Sequence, residues 1–279
     1  MIAVAHDAAT LERLRARRGP ARIAAIPPEV LDALNDGLVP TVSLTEFLAL
    51  DVARLARSVA LQIGLDAQDE ALNDALAMLP SFKPLRRHGI VARALYQLAE
   101  TQASRDAVAH SLATHPSDIA RSWAAQWVQC AAMPLAAKLE AVRRFAADPH
   151  FGVREVAWMA VRDEVAQDVD EAVRLLAPWV LDADANVRRF ASELTRPRGV
   201  WCAHLEPLKA EPWRAGALLE PLRADDSRYV QNSVANWLND AARTQPDWVQ
   251  ALCRRWEAES VLPATRYIVR RARRSFPDT

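Results

Sequence analysis

The chain has 279 residues, 51% of them apolar and 25% charged, and its 35 basic side chains balance 35 acidic ones. This is the composition of a globular chain long enough for one large domain or two small ones. It contains no apolar run approaching the ~18 residues of a membrane span, and its N-terminus has no apolar leader core, so a secreted or membrane protein is not expected. Cys130, Cys202 and Cys253 are few and scattered. They announce neither a disulfide framework nor a zinc knuckle, and they fit a reduced, cytoplasmic setting.

Gly is scarce, with 7 residues, and Ala is abundant, which favours helices throughout. The turn signals "PPE" at 27–29 and "NDG" at 35–37 punctuate the N-terminal part. Helices are predicted near 28–36, 43–50, 52–62 and 68–78, forming an N-terminal cap over residues 1–80. A regular array is predicted over 81–279, starting with a helix at 82–103 and closing with one at 262–275.

Within the array, four segments repeat an apolar residue, usually followed by Arg, and then small or apolar residues. They are "ARSWAAQW" from Ala120, "VREVAWMA" from Val153, "VRRFASEL" from Val187 and "VQNSVANW" from Val230, starting 33, 34 and 43 residues apart. Short acidic or Pro-containing turns precede them, and helical stretches such as "PLAAKLEAVRRFAA" lie between. A helix–turn–helix unit of this length is the signature of a HEAT-type α-solenoid. The expectation is one continuous all-α solenoid of antiparallel helix pairs, C-shaped, with the second helix of each pair on the concave face.

In the register of the repeats, the third position carries Ser122, Glu155, Arg189 and Asn232, and the seventh carries Gln126, Met159, Glu193 and Asn236. Positions four apart share a helical face. Asp240 stands one turn further along the fourth segment. By spacing alone, Arg189 and Glu193 read first as an i,i+4 ion pair on a solvated helix. Trp158 and Trp237 read first as core or rim aromatics. The six histidines show no metal-ligand spacing, and no phosphate-cradling glycine motif occurs. No metal and no cofactor are expected. The basic residues are nearly all Arg, and the tail "RYIVRRARR" concentrates Arg266, Arg270, Arg271, Arg273 and Arg274 on about three helical turns.

The stretch "VRRFASELTRPRGVW" resembles the signature of AlkC-type DNA glycosylases, which belong with AlkD to a superfamily of HEAT-like alkylpurine DNA glycosylases. Val187, Arg188, Arg189, Ser192, Glu193, Arg196, Pro197, Arg198 and Trp201 match; Leu194 and Gly199-Val200 depart. "YVQNSVANWLNDAARTQPD" at 229–247 resembles a second family stretch, with Gln231 and Asn232 standing where basic residues are usual. "REVAWMAVR" is similar to a helix that places a Glu at position 155.

The resemblance implies hydrolysis of the N-glycosidic bond of cationic N3- or N7-alkylated purines, with double-stranded DNA as partner. It implies Glu155, Glu193, Asp240 and Trp201 as the catalytic cleft, and Arg188, Arg189, Arg196 and Arg198 as holders of the DNA backbone. Arg270 and Arg271 of the basic tail, with Trp158 and Trp237, complete the candidate DNA-binding set. The acids are expected on an open helix face, so that neutral replacements leave the fold intact. A catalytically silent DNA-binding HEAT protein and a protein–protein scaffold remain the alternatives.

Overall fold

The computed structural model describes residues 7–102, 105–199 and 201–276. All regular structure among them is helical, and no strand occurs. The chain divides into two compact units, Met1–Ala132 and Met133–Thr279.

The first unit holds α1 (Ala8–Arg15), α2 (Pro28–Asn35), α3 (Leu44–Ala49), α4 (Val52–Gln62), α5 (Glu70–Met78), α6 (Pro84–Gln102), α7 (Arg105–Ala113) and α8 (Asp118–Cys130). Local chemistry sets their ends. Asp7, Ser43, Asp51 and Asp69 each accept a bond from a backbone N–H of the first turn that follows, satisfying donors no helical carbonyl can reach. Helix α2 stops at the "NDG" turn: Gly37 adopts φ +73°, and the Leu38 N–H returns to the Ala33 carbonyl at 2.9 Å. This is the left-handed cap that glycine takes without strain.

Leu55, Val59, Val91, Leu95, Leu112 and Trp123 fill the core of this unit. Two carboxylates inside it are paired. Arg17 grips Glu46 at 2.6 Å and 2.9 Å. Asp118 accepts from the backbone and hydroxyl of Thr41, each at 2.8 Å.

The second unit holds α9 (Leu135–Ala146), α10 (Phe151–Met159), α11 (Arg162–Gln167), α12 (Val169–Leu176), α13 (Ala185–Leu194), α14 (Glu206–Ala210), α15 (Gly216–Leu222), α16 (Arg228–Ala242), α17 (Pro246–Glu259) and α18 (Pro263–Ala272). Helices α10, α13, α16 and α18 pack successively against one another; α9, α15 and α17 pack against them as a second layer, and α12 packs against α15. The two layers are a helical solenoid, and three of the four sequence repeats fall on the first-layer helices α10, α13 and α16; the fourth lies on α8.

The recurring Arg has a structural cause. In each repeat it donates back to the carbonyls six and five residues earlier: Arg121 to His115 and Pro116, Arg154 to Asp148 and Pro149, Arg188 to Asp182 and Ala183, at 2.6–3.1 Å. These carbonyls belong to the turn entering the helix. Where the last repeat has Gln231, its amide makes the matching bond to the Asp225 carbonyl at 2.7 Å. The repeat therefore conserves a clamp on its own turn within this chain, and Gln231 keeps it without a charge.

Candidate functional site

Three successive first-layer helices of the second unit deliver carboxylates to one network. Glu155 comes from α10, Glu193 from α13 and Asp240 from α16. Two arginines join them. Arg189 Nη2 lies 2.7 Å from Glu155 Oε1 and 3.3 Å from Glu193 Oε2. Arg196 Nη1 lies 2.7 Å from Glu193 Oε1, and its Nε lies 2.9 Å from Asp240 Oδ2. The order is Glu155–Arg189–Glu193–Arg196–Asp240, alternating in sign. Ser233 donates to Glu193 Oε2 at 2.7 Å.

Burial differs sharply along this line. The Glu193 side chain is only 6% exposed, whereas that of Glu155 is 34% exposed. Burial raises the Glu193 pKa, but the attraction of Arg189 and Arg196 and the bonds from Arg196 and Ser233 outweigh it, so the group titrates below an ordinary glutamate. For Asp240 burial wins over the attraction of Arg196, and its pKa is raised. Glu193 is thus a fixed anion in the interior, and Glu155 is the carboxylate of the three with the most access to solvent.

Trp158 and Trp237 are buried and offer no face to a ligand, which corrects their place in the DNA-binding set. Their indoles position the site from inside instead. Trp158 Nε1 donates to Glu155 Oε2 at 3.0 Å, and Trp237 Nε1 donates to the Thr195 carbonyl, just past the end of α13, at 2.9 Å.

Arg188 is corrected for a similar reason. Its five N–H donors are all used: Nη1 on the turn carbonyls, Nε and Nη2 on Asp225 at 2.7 Å and 2.9 Å, and Nη2 on Asp226 at 3.0 Å. No donor is left for a phosphate. Arg189 and Arg196 are buried inside the carboxylate network, so they tune the acids and do not reach out to a backbone. Arg198 is half-buried, and its Nε has no partner.

Trp201 stands apart from the other tryptophans. It lies on the loop after α13, 66% exposed, with φ +68°. A bulky side chain at that φ is strained, and such strain persists only where surrounding structure imposes it.

Arg270 and Arg271 lie on α18 beside Tyr267, and Arg228 of α16 sits over the same ring at 3.5 Å, with the other two at 5.7 Å. The Tyr267 hydroxyl donates to Asn232 Oδ1 at 2.7 Å. No carboxylate among the described residues pairs with Arg228, Arg270 or Arg271, so the cluster is an uncompensated positive patch organised by one aromatic ring. Sequence reasoning missed Arg228 and Tyr267. Tyr267 could have been found from its i,i+3 and i,i+4 spacing to the two arginines; Arg228 carries no local signal.

Among the described residues no group of three His, Cys, Asp or Glu side chains could hold a metal ion, and no helix is long and apolar enough to cross a membrane.

No family model matches the chain. It is 35% identical over 117 residues to the uncharacterized protein YhaZ of Bacillus subtilis (strain 168), a match that covers 42% of this chain and 32% of the relative. Among solved structures it is similar to Pseudomonas fluorescens alkylpurine DNA glycosylase AlkC bound to DNA containing an abasic site analog. There the TM-score is 0.67 and the identity 26%, over 81% of this chain and 62% of that one. It also matches AlkD2 from Streptococcus mutans, with TM-score 0.56 and 19% identity over 75% of this chain and all of the other. The chain thus spans about a third of its curated relative and less than two thirds of AlkC. The helix order, the two-layer packing and these likenesses agree: the chain has the fold of the AlkC/AlkD-type HEAT-like DNA glycosylases, shared with AlkC over most of its length.

Proposed function

We propose that this protein is a DNA glycosylase that hydrolyses the N-glycosidic bond of cationic, N3- or N7-alkylated purines in duplex DNA. The observation that carries the reading is the line of three carboxylates from three successive helices, with an exposed aromatic, Trp201, on the adjoining loop.

Alkylation gives the purine a positive charge, so the base leaves readily with the electron pair of the C1′–N bond and becomes neutral. The sugar left behind is an oxocarbenium ion. A fixed carboxylate beside C1′ stabilises that ion more than it stabilises the starting sugar, which is what lowers the barrier. Water then adds to C1′ and loses a proton. Glu155 is the group suited to both tasks, because it is partly open to solvent and held by Arg189 and Trp158. Asp240 offers a second anion. Glu193 supports both by fixing Arg189 and Arg196. Trp201 offers a π face that favours a cationic base over a neutral one. Arg228, Arg270 and Arg271, with Arg198, supply uncommitted cations for phosphates.

One observation favours a second reading, a DNA-binding protein without catalysis: arginines already neutralise each of the three carboxylates. The decisive experiment is release of free 3-methyladenine and 7-methylguanine from methylated duplex DNA by the purified protein. Binding without release selects the silent reading, and neither binding nor release rejects both.

A further inference from the structure

Arg162 is the first residue of α11, is 1% exposed, and pairs with no carboxylate among the described residues. This is an expensive arrangement. A guanidinium stays charged inside a protein, and at the start of a helix it also meets the positive end of the helix dipole. Its partners are all backbone carbonyls, and all lie on one stretch of chain. It donates to Leu194 O through Nη1, and through Nη2 to Arg196 O at 2.7 Å and Ala203 O at 3.2 Å. These carbonyls bracket the loop that leaves α13 and returns to α14. Among the described residues one backbone bond, Leu205 N–H to Pro197 O at 3.0 Å, closes the loop from its other side.

The same loop carries Arg198 and the strained, exposed Trp201. Gly199 lies directly against the guanidinium: a Cβ there would meet Arg162 Nη2 at 3.1 Å and Cys202 Sγ at 2.3 Å. Arg162 and the glycine are therefore complementary, and together they account for the Gly in "RPRGVW".

We propose that Arg162 is a positioning residue that fixes the 194–205 loop so that Trp201 is presented, preorganised, to the lesion base. Among the described residues the loop holds itself across its width by the Leu205–Pro197 backbone bond. The buried cation adds a further constraint by drawing three carbonyls to one point. The role of the loop in lesion recognition rests on the proposed glycosylase function, whereas its fixation by Arg162 does not.

Two readouts separate these claims. Hydrogen exchange of the full chain should show the segment 195–205 exchanging at least about tenfold faster in R162M, because local opening then no longer breaks three carbonyl bonds. Segments within α10 and α17 should keep parent rates. R162K, which keeps the charge but not the planar fork, should fall between. G199A, which disturbs the loop from the opposite side with Arg162 intact, should reproduce R162M and guards against a variant that fails to fold. Unchanged exchange at 195–205 in folded R162M, or faster exchange across the whole second unit, overturns the proposal.

The second readout is single-turnover base release. R162M should slow it on the order of a hundredfold, the scale of a misplaced group, while affinity for undamaged duplex falls by no more than the single phosphate contact that Arg198 on this loop supplies. In a W201A background R162M should cost little more. Additive losses would mean that Arg162 does not act through Trp201. If the parent protein releases no base, the glycosylase reading fails, and the exchange result alone decides whether Arg162 fixes the loop.

Discussion

Glu193 Oε1 and Arg196 Nη1 meet at 2.7 Å in the interior of the second unit, and Arg189 closes on the other carboxylate oxygen at 3.3 Å. The glutamate therefore compensates two buried cations at once. Glu193→Gln leaves both arginines short of a counter-charge, and breaking such a buried pair costs about 3–5 kcal/mol. The variant should melt roughly 5–15 °C below the parent, given the size of this chain. This reverses the expectation that the acids sit on an open face and can be neutralised without loss of stability. The check is a pair of thermal melts at matched salt; equal melting temperatures would show that the network is not load-sharing.

Glu155 should behave in the opposite way. Its side chain is a third exposed and has one arginine partner, so Glu155→Gln should lower stability by less than about 1 kcal/mol, as for a partly solvated ion pair. The amide oxygen can still accept from Trp158. Yet base release should fall by roughly one to three orders of magnitude, the loss expected from one preorganised electrostatic partner. Single-turnover release measured beside a melt gives the answer. A Glu155→Gln protein that excises at the parent rate removes this residue from the catalytic role.

Several helices were legible in the sequence to within about two residues, whereas α1, α7, α11 and α14 were not among the predicted elements. The predicted 52–62 is α4, and the predicted 28–36 is α2 with its cap. Such agreement reflects local causes: Asp and Ser caps, Pro at first turns, and Gly37 where a left-handed residue is needed. The repeat register also placed Glu155 and Glu193 on corresponding faces of neighbouring helices, at positions one turn apart, because side-chain direction follows from helical period.

What the sequence concealed was commitment. Arg188, Arg189 and Arg196 look alike as letters, but one clamps a turn and two are buried between acids, and only the packing of α10, α13 and α16 decides which. Burial hid the roles of Trp158 and Trp237 in the same way. Arg162 gave no signal, since its partners are carbonyls some 32–41 residues downstream.

The two kinds of arginine make different predictions for DNA binding. Arg228, Arg270 and Arg271 have no carboxylate partners, so each Ala substitution should lower the slope of log affinity against log salt by about 1. Arg188→Ala should leave that slope unchanged in protein that is still folded, because all five of its donors are engaged. Its cost should appear in stability instead. Titrations of undamaged duplex between low and physiological salt test both halves. A slope that drops for Arg188→Ala and holds for the α18 variants would mean the wrong set of cations was assigned to the backbone.

Acid should weaken the first unit through two histidines. His88 is buried and accepts from Trp123 Nε1 at 3.3 Å through Nδ1. His115 accepts the Ser117 N–H at 3.1 Å through Nδ1, leaving Nε2–H to donate to Gln62 Oε1 at 2.7 Å. Both rings are thus held neutral with Nδ1 as acceptor, and a second proton has no place without breaking a bond. Burial, reinforced by Arg87 for His88 and by Arg121 for His115, lowers each pKa to about 4. The unfolded rings titrate near 6.5, so between pH 6.5 and 4 the unfolded chain binds more protons than the folded one. The stability this contributes is complete above pH 6.5 and is lost as the pH falls towards 4, amounting to about 2 kcal/mol per histidine by pH 5. Melting temperature should therefore decline between pH 7 and 5, before most carboxylates protonate. His88→Phe with His115→Asn should flatten that decline while lowering the melting temperature at pH 7. A parent protein whose melting temperature is constant from pH 7 to 5 would show that neither ring resists its second proton.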